Sequence, residues 1–377
     1  MEFPGDVPRL TDGAVTLRAH AGADLAGVVE QCTDPESIRW TTVPVPYTAE
    51  DGRRWLTETV PAGWRDGTEL GFAIEAPDEH GVRRFAGSAS LRPEGGGVAE
   101  VGYGLAAWAR GRHVMSRALR LLLDWGFEQR GLAVVVWRAN VGNWASRRVA
   151  WAAGFTLDGT VGRLLEQRDE RYDAWIGSLR HDDSREPKSR WLDTPVLDAG
   201  DVVLRPWRDS DVDRIVAGCS DPDVQRWLAH LPHPYIRESA ARFLLSTGEQ
   251  AAAGSALTWC VADEHADRAL GAISVFDLDG RDPGSAETGY WTHPDARGRG
   301  VTLRALRRVL AHGFAPESAG GLGLRRLDLT TAAGNTASRR VAEAAGFRPA
   351  GVDRLAYRLR DGYDDRVRYD LLADEVG

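Results

Sequence analysis

The chain repeats itself at a spacing of nearly half its length. Residues 99–113 read AEVGYGLAAWARGRH and residues 286–300 read AETGYWTHPDARGRG; residues 143–155 read NWASRRVAWAAGF and residues 335–347 read NTASRRVAEAAGF. Self-similarity on this scale means two copies of one domain, so whatever chemistry the module carries is written twice and can be compared position by position. A length of 377 residues is enough for two domains that each bury a core. The expected boundaries are 1–183 for the first copy, a polar linker over 184–194 and 195–377 for the second.

Charge and cysteine content narrow the class. The formal net charge is −8, whereas a nucleic-acid binder usually presents a basic face, so no nucleic-acid partner is expected. Cys32 and Cys219 fall at the same place in the two copies, and Cys260 stands alone. Three sparse thiols make neither a disulfide framework nor a metal-ligand spacing; they read as small buried hydrophobes. No basic-then-apolar leader opens the chain, and no run approaches the roughly 20 apolar residues of a membrane helix. A cytoplasmic protein without a membrane partner, monomeric or homodimeric, is the expectation.

The order of elements is clearest in the second copy. Val202–Arg205, Trp259–Ala262, Leu270–Phe276 and Glu287–Thr292 read as strands. A turn at Arg297–Gly300 leads into a helix over Thr302–Phe314, with Leu303, Leu306, Leu310 and Phe314 at helical spacing. A strand over Arg326–Thr330, a helix over Ala337–Ala345 stopped by Gly346, and closing strands near Val352–Arg358 and Arg366–Leu371 complete it. The first copy follows the same plan from Val15–Arg18 onward, with Leu119, Leu123 and Phe127 on its central helix. Early antiparallel strands followed by a strand–helix–strand crossover make an α/β fold, a mixed and mostly antiparallel sheet flanked by helices.

The turn Arg297-Gly298-Arg299-Gly300-Val301-Thr302 joins a strand to a helix. Amides in the first helical turn have no internal partners and attract anions, helped by the helix dipole. Glycine permits positive φ and close approach of a phosphate. The spacing is neither G-x-G-x-x-G nor a Walker P-loop, so a phosphate or pyrophosphate site is expected without a nucleotide fold. The first copy reads Arg110-Gly111-Arg112-His113-Val114-Met115. A side chain at His113 costs about 1–2 kcal/mol if that position is left-handed; the imidazole either fills the phosphate space, which makes weakened binding in the first copy the expectation, or adds a donor to the phosphate.

Taken together, Glu287-Thr-Gly-Tyr-Trp291, His293-Pro294, Arg297–Gly300, Asn335–Arg340 and Ala345-Gly-Phe347, with their counterparts in the first copy, resemble the GCN5-related N-acetyltransferase family. The resemblance is strongest to the branch containing the ribosomal-protein N-terminal acetyltransferases, and it spans nearly the whole chain twice. It implies acetyl-CoA as cosubstrate, held in a V-shaped opening between two splayed central strands. It implies that Arg297, Gly298, Arg299, Gly300, Val301 and Thr302 grip the pyrophosphate, with Trp291, Thr292 and His293 on the adjoining strand end. Arg110, Gly111, Arg112 and His113 are the first-copy equivalents. Asn335 and Asn143 would contact the pantetheine arm while capping their helices, the role asparagine also plays for stability alone. Arg339–Arg340 and Arg147–Arg148 are candidates for the 3′-phosphate.

Acyl transfer to an amine needs a base, an oxyanion donor and an acid for the leaving thiolate. Glu287, Gly289 and Trp291 share one face of their strand, so Glu287 has room beside it and an aromatic wall; the family's base, often acting through water, stands at this glutamate. Glu100 is its counterpart, with Gly104 in place of the tryptophan. Ser338, and Ser146 in the first copy, stand where the family protonates the thiolate, and the N–H of Thr292 or a neighbour is the implied oxyanion donor. The resulting expectation is N-acetyl transfer from acetyl-CoA to a primary amine, small molecule or peptide, by direct attack, with the second copy as the main active centre. The alternative is an acyl-CoA-binding sensor or scaffold with one or both copies inactive.

Overall fold

The computed structural model describes residues 7–376. The chain divides into two compact units between Lys188 and Ser189. The expected linker is not a free tether. Gly154 packs against the carbonyls of Ser184 and Glu186 in the first unit, while Leu192 is buried in the core of the second and Pro195 accepts the indole N–H of Trp259.

Each unit is built on an eight-stranded mixed sheet. In the second unit the strands lie in the order Arg348–Leu359, Gly362–Leu372, Arg326–Ala332, Ser285–Thr292, Ala269–Phe276, Ala256–Asp263, Val202–Arg205, Leu197–Asp198. All neighbours are antiparallel except Ser285–Thr292 with Arg326–Ala332. The first unit repeats the order with Val98–Leu105 and Val134–Asn140 as its parallel pair. The parallel step needs a crossover, which the helices Val301–Phe314 and Val114–Glu128 supply.

That parallel pair is short. In the second unit it holds for three positions, ending at Glu287 opposite Asp328. Beyond it the strands part, leaving an opening with Glu287 at its apex. In the first unit the pairing runs one position further, to Val101 opposite Trp137.

The helix Val301–Phe314 turns Val301, Ala305, Leu306, Val309 and Leu310 into the core. Leu303, expected on that face, lines the opening instead. The two Asp-Pro pairs start short helices, Pro35–Trp40 and Pro222–Trp227, with the aspartate as N-cap and proline at the first turn. A 17-residue helix, Arg237–Ala253, had no clear signature, because its alanine-rich sequence carries only a weak apolar stripe. The closing strands are longer than expected and form a hairpin.

Candidate active site

In the second unit the opening is a cleft of about 1150 Å³. It reaches from an aromatic end at Trp227, Tyr235, Phe243 and Trp291, past Glu287, to the glycine turn and to Asn335 and Ser338.

The turn adopts the geometry its glycines allow. Gly298 and Gly300 have φ of +72° and +70°, and Gly300 caps the helix. The helix's first backbone bond runs from the Arg304 N–H to the Gly300 carbonyl. The amides before it, at Val301, Thr302 and Leu303, therefore have no partner within the helix, and all three residues line the cleft. These amides suit a diphosphate.

The arginines serve the turn differently from one another. Arg297 lines the cleft, but its guanidinium is committed to Asp221 and to Asp223 at 3.0 Å. Arg110 makes the same link to Asp34 at 2.6 Å. In both units this arginine ties the turn to the helix that the Asp-Pro pair starts, so it positions the loop. Arg299 and Arg112 point to the surface, Arg299 near Asp263 at 4.0 Å and Arg112 over the Trp108 ring. His293 also departs from its expected place. It is buried outside the cleft, with Nδ1 on the Asp295 carboxylate at 2.8 Å, and its pKa is lowered, chiefly by burial.

Glu287 sits at the apex, where its Oε1 accepts the Thr330 hydroxyl at 2.7 Å. Its cross-strand neighbour is Phe276, and Gly289 leaves the space beside it open to the cleft. Trp291 stacks on Trp207 with ring centroids 6.4 Å apart and lies against Gly218, where a Cβ would come within 2.5 Å of the ring. His293 donates its N–H to the Leu270 carbonyl on the neighbouring strand. Alternation along the strand then turns the N–H groups of Thr292 and Tyr290 to the other edge, the one that faces the opening. The Thr292 hydroxyl meets that of Thr302 across the cleft.

Asn335 caps the helix Thr336–Ala344, accepting the Ser338 N–H at 3.1 Å. The Ser338 hydroxyl lies 3.2 Å from the Tyr290 hydroxyl, which also donates to the Ser338 carbonyl. Burial raises the Tyr290 pKa to about 12, so the phenol is a neutral proton donor. This tyrosine was not singled out from sequence, although Tyr103 and Tyr290 occupy the same place in the two copies. Arg339 turns from the cleft to Tyr369 and the Ala333 carbonyl.

The first unit keeps the glutamate, tyrosine, asparagine and serine but surrounds them differently. Glu100 pairs with Arg138 at 3.0 Å and approaches Arg92 at 3.9 Å; the second unit has Thr330 and Phe276 at those positions. Trp137 replaces Leu329, is buried, and donates to the Ser146 hydroxyl at 3.0 Å. Met115 replaces Thr302 and is buried. Arg147 is buried against Trp144 and Trp175. His113 has φ of 59°, the left-handed conformation that disfavours a side chain. Asn143 still caps its helix. The first unit's cavity, about 240 Å³, reaches none of residues 110–115, Asn143 or Ser146.

A family model described as acetyltransferase (GNAT) domain matches residues 14–156 and again 201–348. The chain is similar to "Putative ribosomal N-acetyltransferase YdaF" of Bacillus subtilis (strain 168), 33% identical over 105 residues, which is 28% of this chain and about half (54%) of that protein. It is also similar to "Uncharacterized N-acetyltransferase YoaA" of the same organism, 26% identical over 46% of this chain and 94% of that one. Among solved structures, Mycobacterium smegmatis RimJ in complex with CoA-disulfide is 22% identical over 49% of this chain and 90% of that chain, with a TM-score of 0.44. The two family-model matches together span well over half the sequence, and the chain belongs to the GNAT acetyltransferase family as two tandem domains.

Proposed function

We propose that the second unit transfers an acetyl group from acetyl-CoA to a primary amine, and that the first unit performs no transfer. The observation that carries this reading is the continuity of one cleft. It joins a carboxylate that has no cationic partner among the described residues, at the strand divergence, to three helix-head amides without a partner in the helix on one side and to a Ser–Tyr hydroxyl pair on the other.

The chemistry assigned to these groups is direct attack. Glu287, through a water where needed, takes a proton from the ammonium so that its nitrogen lone pair can attack the thioester carbonyl. As the C–N bond forms, negative charge on the carbonyl oxygen is met by the N–H of Thr292 or Tyr290 at the open strand edge. Collapse breaks the C–S bond, and the hydroxyl pair of Ser338 and Tyr290 supplies the proton to the leaving sulfur; the second proton that the nitrogen sheds in becoming an amide restores the pair. Backbone amides at Val301–Leu303 hold the diphosphate, and Asn335 borders the arm that leads from it.

An aromatic end formed by Trp227, Tyr235, Phe243 and Trp291 suits an ammonium attached to an apolar or aromatic body, since aromatic faces attract cations. A small-molecule amine with such a body is the proposed acceptor, rather than a protein N-terminus. The test is thiol release from acetyl-CoA with three acceptor classes: arylalkylamines, polyamines and N-terminal peptides. Turnover with the arylalkylamines supports the reading. Thioester binding without thiol release from any class would favour the sensor instead.

A further inference from the structure

The two units have opposite chemistry in one equivalent region. In the second unit, Ala256, Ala272 and Phe276 line the cleft with Trp291, and Trp207 and Gly218 pack against the Trp291 ring. At the same positions the first unit has His20, Gln31, Glu69, Ser88 and Arg92, with Gly104 in place of Trp291. Every change in that set except the glycine exchanges an apolar or absent side chain for a polar one. The cavity these residues line, about 240 Å³, is smaller than a typical drug-sized site and fits a small metabolite.

The polar groups in it are only partly committed to each other. Glu69 accepts the Ser90 hydroxyl at 2.7 Å. Arg92 approaches Glu69 at 3.7 Å and Glu100 at 3.9 Å. Both distances exceed those of a charge-assisted hydrogen bond, so the guanidinium keeps donors for another partner. Gly102 leaves the space in which this guanidinium lies: a Cβ there would come within 2.2 Å of it. His20 is 2% exposed, bonds the Ser88 hydroxyl through Nε2 at 3.1 Å, and has a buried Nδ1 with no partner among the described residues. A cation and an anion side by side, both about half exposed, with hydroxyls and an amide around them, match a ligand bearing an anionic and a cationic group on one carbon.

We infer that the first unit is a binding module whose pocket takes a free α-amino acid, its carboxylate on Arg92 and its ammonium on Glu69. No acyl transfer occurs there, because Trp137 and Met115 fill the space a thioester arm would need. This inference does not depend on the second unit's activity.

The test is calorimetric titration of the full chain with each of the twenty common α-amino acids, without any thioester present. One amino acid, or one chemically related group, is expected to bind. Its decarboxylated amine should bind at least about tenfold more weakly, and Arg92→Phe and the milder Glu69→Gln should each weaken it by a similar factor. Arg92→Phe should leave acetyl-CoA affinity unchanged. The inference is overturned if none of the twenty binds at millimolar concentration. It is equally overturned if the binding found survives both substitutions. Because the amino-acid titrations themselves use no thioester, their failure is separable from failure of the acetyltransferase reading.

Discussion

Replacing Glu287 by glutamine isolates its proposed work. The two side chains are nearly isosteric, and the glutamine carbonyl can still accept the Thr330 hydroxyl that Glu287 Oε1 accepts at 2.7 Å. A hydrogen bond to a charged acceptor is worth about 1 kcal/mol more than one to a neutral acceptor, so the stability of the second unit should fall by no more than that. Acetyl-CoA affinity should change less than about twofold, since the amides of Val301–Leu303 lie along the cleft away from this carboxylate. What disappears is the proton acceptor. General-base catalysis contributes about 10²–10⁴ in rate, which corresponds to about 3–5 kcal/mol of barrier. The assay is thiol release at saturating acetyl-CoA and acceptor, with calorimetric Kd and a denaturant midpoint measured on the same preparation. A kcat reduced a hundredfold or more beside an unchanged Kd is expected. Wild-type turnover in Glu287→Gln would remove this carboxylate from the mechanism.

Other expected outcomes follow from the contrast between the units. Glu100→Gln should leave total turnover within about twofold of wild type, because Arg138 already occupies that carboxylate; a hundredfold loss would place catalysis in the first unit. Gly300→His, which imports the first unit's residue at φ of +70°, should cost the second unit about 1–2 kcal/mol in chemical denaturation. It should also weaken acetyl-CoA at least about tenfold in calorimetry, with the imidazole standing before the helix-head amides. The Asp295 carboxylate is held down at about 2, first by its hydrogen bonds with Arg214. A depressed carboxylate stabilises the fold above its ordinary value near 4 and loses that contribution as pH falls towards 2. Asp295→Asn should therefore destabilise the second unit at pH 7 and matter progressively less below pH 4. With the side chain 39% exposed, the effect at pH 7 should be no more than about 1 kcal/mol; equal destabilisation at pH 7 and pH 2 would contradict the assignment.

Much of this arrangement was legible in the sequence because it rests on local rules. The duplication, the glycine turn at the head of Val301–Phe314 and the Asn335 cap depend on backbone geometry that few residues satisfy. The left-handed conformation of His113 followed from its alignment with Gly300. What escaped were pairings between distant segments. The commitment of Arg297 to Asp221 and Asp223 joins residues more than seventy positions apart, and a turn rich in arginine gives no sign of which one is already engaged. The neutralisation of Glu100 depends on Arg138, a strand residue whose neighbour across the sheet is fixed only by register. His293 lies beside the motif yet packs beneath it, since a strand end does not declare where its last side chain turns. The filling of the first cleft by Trp137 was hidden for the same reason: a tryptophan within a strand reads as core in either unit.

In the proposed function one of the two related clefts, and only one, holds the thioester. Calorimetric titration of the full chain with acetyl-CoA tests it most directly. Binding at one site per chain, abolished or strongly weakened by Gly300→His, is the predicted result. No detectable heat at any concentration, or two sites per chain, would contradict it.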